Sequence, residues 1–169
     1  MAAISFVPAA PTELPRLAAL AKPIWEDCFT PIIGKEQVAY MVRLFQSLPA
    51  LRRQTQQENY QYYFIQLGGK DLGYTGVQPD PRGGLFLSKL YLKAEARGRG
   101  YARQAFCFLC GLAKEQGLCR IWLTVNKHNA QAIAVYEHLG FVRTDAVVTD
   151  IGGGFVMDDY IYSFSISHS

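Results

Sequence analysis

Long apolar runs are missing from this sequence: its hydrophobic stretches are too short and too often interrupted to span a bilayer. The N-terminus lacks the basic segment and unbroken apolar core of a secretory leader, so a cytoplasmic protein without a membrane partner is the expectation. Runs of like charge are missing too. A net charge of +3 is mild, and no stretch resembles a nucleic-acid-binding run or a membrane-surface stripe. Cysteine is sparse, and Cys28, Cys107, Cys110 and Cys119 suit a reduced protein better than a disulfide framework. Cys107 and Cys110 are spaced C-x-x-C, but no second pair or histidine cluster completes a metal site. No metal is expected, and both are read as buried small apolar side chains. Internal repeats, low-complexity tracts and long linkers are absent as well. Half the residues are hydrophobic and 13% aromatic, which excludes disorder and gives one domain over residues 1–169 a substantial core.

The pattern alternates between strands and helices. Ala3 to Val7 reads as a strand closed by Pro8 and Pro11. Thr12 can cap a helix through Leu14, Leu17, Leu20 and Ile24, which Pro23 is expected to kink or break; Trp25, Cys28 and Phe29 follow, near Pro31-Ile32-Ile33-Gly34, which reads as irregular. A second helix is predicted from Lys35 to Ser47, with a short polar one from Ala50 to Glu58. Tyr60 to Leu67 and Leu72 to Gln78, joined at Gly68-Gly69-Lys70-Asp71, lead by tight links into a third strand, so an antiparallel meander is expected. After it come a helix from Tyr101 to Gln116, a strand from Arg120 to Val125, and a helix capped by Asn129 and ended by Gly140. The helical crossover makes the pairing of that strand with the third one parallel. Phe141 to Asp150 and Phe155 to Ser165 close the chain as a strand pair.

The stretch from Gly84 to Gln104 organises the rest. Its strand, Leu85-Phe86-Leu87 and Leu90-Tyr91-Leu92, runs into Arg97-Gly98-Arg99-Gly100-Tyr101-Ala102 and then a helix. Glycines at such a turn let backbone N–H groups approach a ligand, and the N-terminus of a helix attracts anions. Arg97, Arg99 and Arg103 add positive charge, so a diphosphate is the natural guest. A Walker loop is excluded because no Gly-Lys-Ser/Thr follows, and a dinucleotide fingerprint because position 103 is Arg and the strand with Trp122 and Thr124 holds no acid.

The turn matches Arg/Gln-x-x-Gly-x-Gly/Ala through Arg97, Gly100 and Ala102, and so resembles the acetyl-coenzyme A turn of the GCN5-related N-acetyltransferases (GNAT). A second block, Leu123-Thr124-Val125-Asn126 through Asn129-Ala130-Gln131-Ala132 to Tyr136 and Gly140-Phe141, resembles the second cofactor motif of that family. Both blocks stand in the family's order and at its separation. The resemblance implies an α/β (α+β) GNAT fold: a mixed, mostly antiparallel sheet of about seven strands flanked by helices, with a splayed parallel pair forming the acetyl-CoA slot. It implies that Leu90, Tyr91 and Leu92 offer backbone groups to the pantetheine arm and thioester, as a strand edge would. Residues Arg97, Gly98, Arg99, Gly100, Tyr101 and Ala102 would hold the diphosphate; Asn129 would hydrogen-bond the pantetheine or diphosphate region, its other reading being a helix cap, and Asn126 would line the slot or anchor its strand end. Tyr136 would be the catalytic acid that protonates the departing thiolate, since a phenol, with a pKa of roughly 10, lies near an alkyl thiol. A core aromatic on an amphipathic helix is its other reading.

The reaction implied is direct attack of a primary amine on acetyl-CoA in a ternary complex. Many family members carry a glutamate base two residues before the backbone clamp; here that position is Ser88, and the base is left open, a water chain near Glu26, Asp27 or Tyr91 being one reading. Trp25, Glu26, Asp27, Phe29, Ser88 and Asp158 are the candidate acceptor-binding residues. The segment around Trp25 and the acidic Met157-Asp158-Asp159-Tyr160 loosely resemble bacterial members that acetylate polyamines, whose positive charge such acids would attract. A protein or peptide amine is the second acceptor class, and a non-catalytic acyl-CoA sensor the reading from another class. A homodimer could form through the aromatic final strand of Tyr160, Tyr162 and Phe164.

Overall fold

The computed structural model describes residues 3–167. Its strands are β1 (Ser5–Pro8), β2 (Gln61–Leu67), β3 (Lys70–Pro79), β4 (Gly84–Leu92), β5 (Arg120–Asn126), β6 (Val142–Gly152) and β7 (Phe155–Ser165). Its helices are α1 (Leu14–Ile33), α2 (Lys35–Met41), α3 (Leu48–Gln57), α4 (Tyr101–Glu115) and α5 (Ala130–Leu139). The strands form one mixed seven-stranded sheet in the order β1-β2-β3-β4-β5-β7-β6, flanked by helices. β4 and β5 are the parallel pair, in register at Gly84–Arg120, Leu85–Ile121 and Phe86–Trp122. β1–β2, β2–β3, β5–β7 and β6–β7 are antiparallel. The expected fold class is the observed one.

The chain divides into two compact units, one holding the residues up to Gln78 with Lys89–Tyr101, the other Pro79–Ser88 with the residues from Ala102 on. In the first, Leu14, Leu17, Leu20, Ala21 and Ile24 of α1 recur at helical spacing and bury one stripe against Leu51, Tyr62, Phe64 and Tyr74. Full burial of each such leucine contributes on the order of 2 kcal/mol. A second cluster joins Ile4, Ile65, Ala96 and Tyr101.

That burial explains the largest departure from expectation. Pro23 does not end α1, and the segment from Trp25 on is helical through Ile33. Pro23 and Pro31 sit on the exposed side, while Ile24, Trp25 and Phe29 hold the other side in the core. The packing offsets the hydrogen bond each proline removes. The second predicted helix is also divided: α2 stops at Met41 and Val42–Gln46 continues as a π-helical turn.

In the second unit, Tyr162 is fully buried, and Phe106, Phe141 and Phe164 meet with ring centroids 4.8 to 5.6 Å apart. Ala105, Leu109 and Ala113 form the buried stripe of α4. Cys107 falls off that stripe and is exposed, and Cys110 is half-buried, so the reading of both as core residues is corrected. The aromatic strand β7 lies inside the sheet, paired with β5 and β6, and β6 forms the edge instead. No helix among the described residues is long and apolar enough to cross a membrane.

Candidate active site

In the first unit the residues of β4 around Tyr91 are fixed from both sides of the strand. Leu90 and Leu92 pack against the Ile4–Ile65–Ala96–Tyr101 cluster. Tyr91 joins an aromatic group with Trp25, Phe29 and Tyr74, at centroid distances of 5.5, 5.7 and 5.7 Å. Beside them Gly73 on β3 comes so close that a Cβ there would stand 2.1 Å from the Tyr91 carbonyl oxygen. Only glycine permits that approach. Trp25 and Phe29 are therefore core residues behind Tyr91, while Glu26 and Asp27 are exposed on the other side of α1.

The turn after β4 opens with a short 3-10 segment, Ala94–Ala96, and places both its glycines in left-handed backbone, Gly98 at φ 72° and Gly100 at φ 80°. A side chain at either position costs roughly 1–2 kcal/mol, which is why glycine alternates with arginine here. The arginines fold back on the protein. Arg97 donates from Nε and Nη2 to the Leu92 carbonyl at 3.2 and 3.0 Å, and Nη2 lies 3.0 Å from the Asp27 carboxylate. Arg99 donates from Nε to the Glu95 carbonyl at 2.9 Å. Arg103 is exposed on α4, Tyr101 is buried and Ala102 half-buried. The Arg97 charge is thus already paired.

Next to Ser88, which is half-buried, stands a residue that the sequence did not single out. Lys89 is 4% exposed, and its Nζ donates to the Phe45 carbonyl, the Gln54 Oε1 and the Tyr62 hydroxyl at 2.6, 3.1 and 2.5 Å. Tyr62 also donates to Gln54. Burial holds the Lys89 amine well below the ordinary lysine range. Only its alternation of apolar neighbours could have marked it as an inward position.

In the second unit β5 ends at Asn126, whose side chain accepts from the His128 N–H at 2.8 Å and whose carbonyl accepts from Asn129 N–H at 3.0 Å. Asn129 caps α5, accepting from the Ala132 N–H at 3.2 Å. The intervening turn is clamped by Lys127, whose Nζ is 2.9 Å from Asp158 Oδ1 and whose N–H donates to the Asp158 carbonyl at 3.1 Å. Asp158 is therefore a paired charge. α5 carries Tyr136, half-buried and edge-on to Phe141 at 5.5 Å; burial pushes its phenol up to about 12. The proton stays on at any working pH, but the phenol is a weaker donor than a free one. Gly140, at φ 103°, ends the helix in the left-handed conformation expected of it. No group of metal ligands occurs among the described residues.

The family model for the acetyltransferase (GNAT) family matches residues 21–141, a span that contains both motif blocks. The chain belongs to that family. It is 30% identical over 103 residues to the uncharacterized N-acetyltransferase YycN of Bacillus subtilis, covering 59% of this chain and 66% of that protein. It is 30% identical over 92 residues to YjgM, an uncharacterized N-acetyltransferase of Escherichia coli, covering 53% and 55%. The alignments thus span less than two thirds of either relative. Among solved structures, the PaiA N-acetyltransferase of Thermoplasma acidophilum in complex with coenzyme A superposes with a TM-score of 0.80 at 18% identity, over 96% of this chain and 99% of that one. The ribosomal-protein-S18-alanine N-acetyltransferase of Escherichia coli gives 0.70 at 21%, over 99% and 96%. These likenesses carry the fold.

Proposed function

We propose that residues 1–169 act as one acetyl-CoA-dependent N-acetyltransferase domain, moving an acetyl group to a primary amine by direct attack in a ternary complex. The observation that carries this reading is that the family match spans both motif blocks. A related fold bound to coenzyme A supports acetyl-CoA as the donor substrate. In this reading the backbone of Leu90 to Leu92 meets the pantetheine arm. The diphosphate lies on the turn from Arg97 to Ala102, chiefly on backbone N–H groups because the Arg97 side chain is paired. Asn126 and Asn129, beyond their capping roles, border the cofactor, and Tyr136 protonates the thiolate.

The acceptor in this reading is a small amine such as a polyamine. The exposed carboxylate of Glu26 favours a cation, whereas that of Asp27 is already paired with Arg97. The fold shared with a ribosomal-protein alanine acetyltransferase favours a peptide amine as the second reading. A cytoplasmic location suits either acceptor. The test is release of free coenzyme A from acetyl-CoA across spermidine, spermine, arylalkylamines, amino acids and short peptides, with no-acceptor controls. Saturable release with one class is the expected result. Silence across the panel with acetyl-CoA bound would leave a sensor domain, and no binding at all would overturn the reading.

A further inference from the structure

Burying a carboxylate is costly unless something compensates it. In the second unit the acids are largely engaged. Asp80 accepts from Trp122 Nε1 at 2.7 Å, Glu137 from the Tyr162 hydroxyl at 2.8 Å, and Asp158 is paired with Lys127. Asp159 is the exception. It is only 5% exposed, and among the described residues no hydrogen bond or ion pair engages its carboxyl.

Its place in the sheet is specific. Asp159 lies on β7 opposite Asn126, the last residue of β5, and opposite Val147 of β6. Both neighbours across the ladders are neutral. Because successive side chains of a strand face opposite ways, Asp158 serves the Lys127 turn while Asp159 faces with Asn126. That turn leads directly into the Asn129 cap and the helix carrying Tyr136. Burial pushes the Asp159 carboxyl up to about 6, with the neighbouring Asp158 raising it further and Lys127 opposing.

We propose that Asp159 is the general base of this protein, taking the proton that the acceptor amine must lose before it attacks the thioester. This rests on the acetyltransferase reading above, and it fills the role left open where Ser88 stands in place of a glutamate. Asp159 accepts one proton from the ammonium and passes it to water. The freed nitrogen pair then forms the C–N bond at the thioester carbonyl. As the tetrahedral adduct collapses, the C–S bond breaks and the thiolate takes a proton from Tyr136. The second N–H proton shed by the adduct restores Tyr136 through solvent, so each amide formed releases one proton net. A carboxyl raised toward neutrality suits the task, because it lies closer to an amine in proton affinity yet is still ionised at working pH. A buried acid facing with the last residue of β5, where the motif turn begins, is the kind of residue that a low-dielectric site tunes for such work.

The experiment measures kcat against pH, with saturating acetyl-CoA and an amine accepted by the parent, for the parent, Asp159→Asn and Asp159→Ala, together with acetyl-CoA affinity by calorimetry. In the parent, kcat falls as pH drops through about 6. In Asp159→Asn it falls at least about a hundredfold, the scale of a lost general base. That acid limb vanishes and affinity stays within about threefold, so the loss lies in chemistry rather than in binding. Added formate restores part of the turnover of Asp159→Ala, a rescue that a merely structural role would not give. A kcat within threefold of the parent with the acid limb unmoved overturns the proposal. So does a loss matched by an equal loss of affinity without formate rescue. A parent that binds acetyl-CoA but acetylates no amine overturns instead the acetyltransferase reading on which the proposal rests.

Discussion

Arg97 and Asp27 are joined at 3.0 Å, so the first arginine of the glycine turn is fastened to α1 instead of being presented to a ligand. Its second attachment, to the Leu92 carbonyl, ties the turn back to β4. Arg97→Ala is expected to lower stability by about 1–2 kcal/mol through that charged hydrogen bond, and to weaken acetyl-CoA binding by loosening the turn. Asp27→Asn removes only a pair that is half exposed and costs less than about 1 kcal/mol. Thermal melts of the two variants, with calorimetric titration of acetyl-CoA, check the order. Equal effects would mean that the ion pair, and not the carbonyl bond, carries the turn.

Gly73→Ala places a methyl group 2.1 Å from the Tyr91 carbonyl, which cannot be accommodated without moving backbone. The expected cost is at least about 2 kcal/mol, the scale of overpacking in a filled core. A proportionate loss of acetyl-CoA affinity should accompany it. Gly98→Ala meets open space and suffers only its left-handed backbone, about 1 kcal/mol. Urea unfolding of both variants compares a steric penalty with a conformational one.

Tyr136→Phe keeps the contact with Phe141 and removes the hydroxyl. At least about a tenfold fall in turnover is expected, the low end of acid catalysis, with acetyl-CoA affinity little changed. Unaltered turnover would refute the acid role. With the phenol pushed up to about 12, its titration should leave no trace in the rate between pH 6 and 10.

Asp159 has a folded pKa raised to about 6, above its unfolded value. It therefore contributes stability that is complete below about pH 4 and is lost as pH rises through 6. At pH 7.5 the buried charge is a net cost, and Asp159→Asn should stabilise the fold by about 1–3 kcal/mol. The gain should disappear near pH 4. Chemical denaturation at both pH values tests it, and a gain of the same size at each would mean that charge is not its cause.

Lys89 works in the opposite sense. Its folded pKa is depressed, so the stability it contributes is present above the ordinary lysine value and lost as pH falls toward the folded one. Lys89→Met should be free of that loss. The Phe45 carbonyl would keep the Gln54 Nε2 at 3.0 Å, and Gln54 Oε1 would keep Tyr62, so neither acceptor is orphaned. The variant is expected to gain on the parent between pH 10 and pH 6. A pH-independent difference in urea midpoints would contradict this.

The strand and helix order was legible in the residues because periodicity and glycine punctuation agree along most of the chain. The caps at Asn129 and Gly140 could be read directly, since capping is local chemistry. Pro23 misled because a local rule was overridden by the packing of Leu17, Leu20 and Ile24 against Leu51, Tyr62, Phe64 and Tyr74, partners that lie far along the chain. The pairing of Arg97 with Asp27 and the burial of Lys89 among Phe45, Gln54 and Tyr62 join residues far apart in the chain, and no single window contains them. In the sequence Asp158 and Asp159 stand side by side as acids that would attract a polyamine. Only the register of β7 against β5 and β6 separates the paired one from the buried one.

That register makes the phase of β7 a selector. Two adjacent, chemically identical carboxyls receive opposite employment: one becomes a strut for the Lys127 turn, the other sits charged and unclaimed in the interior. A slip of one residue would exchange them, leaving Lys127 to the wrong acid and drawing the strut inside. The ladder therefore specifies not only a shape but which of two protons can be moved.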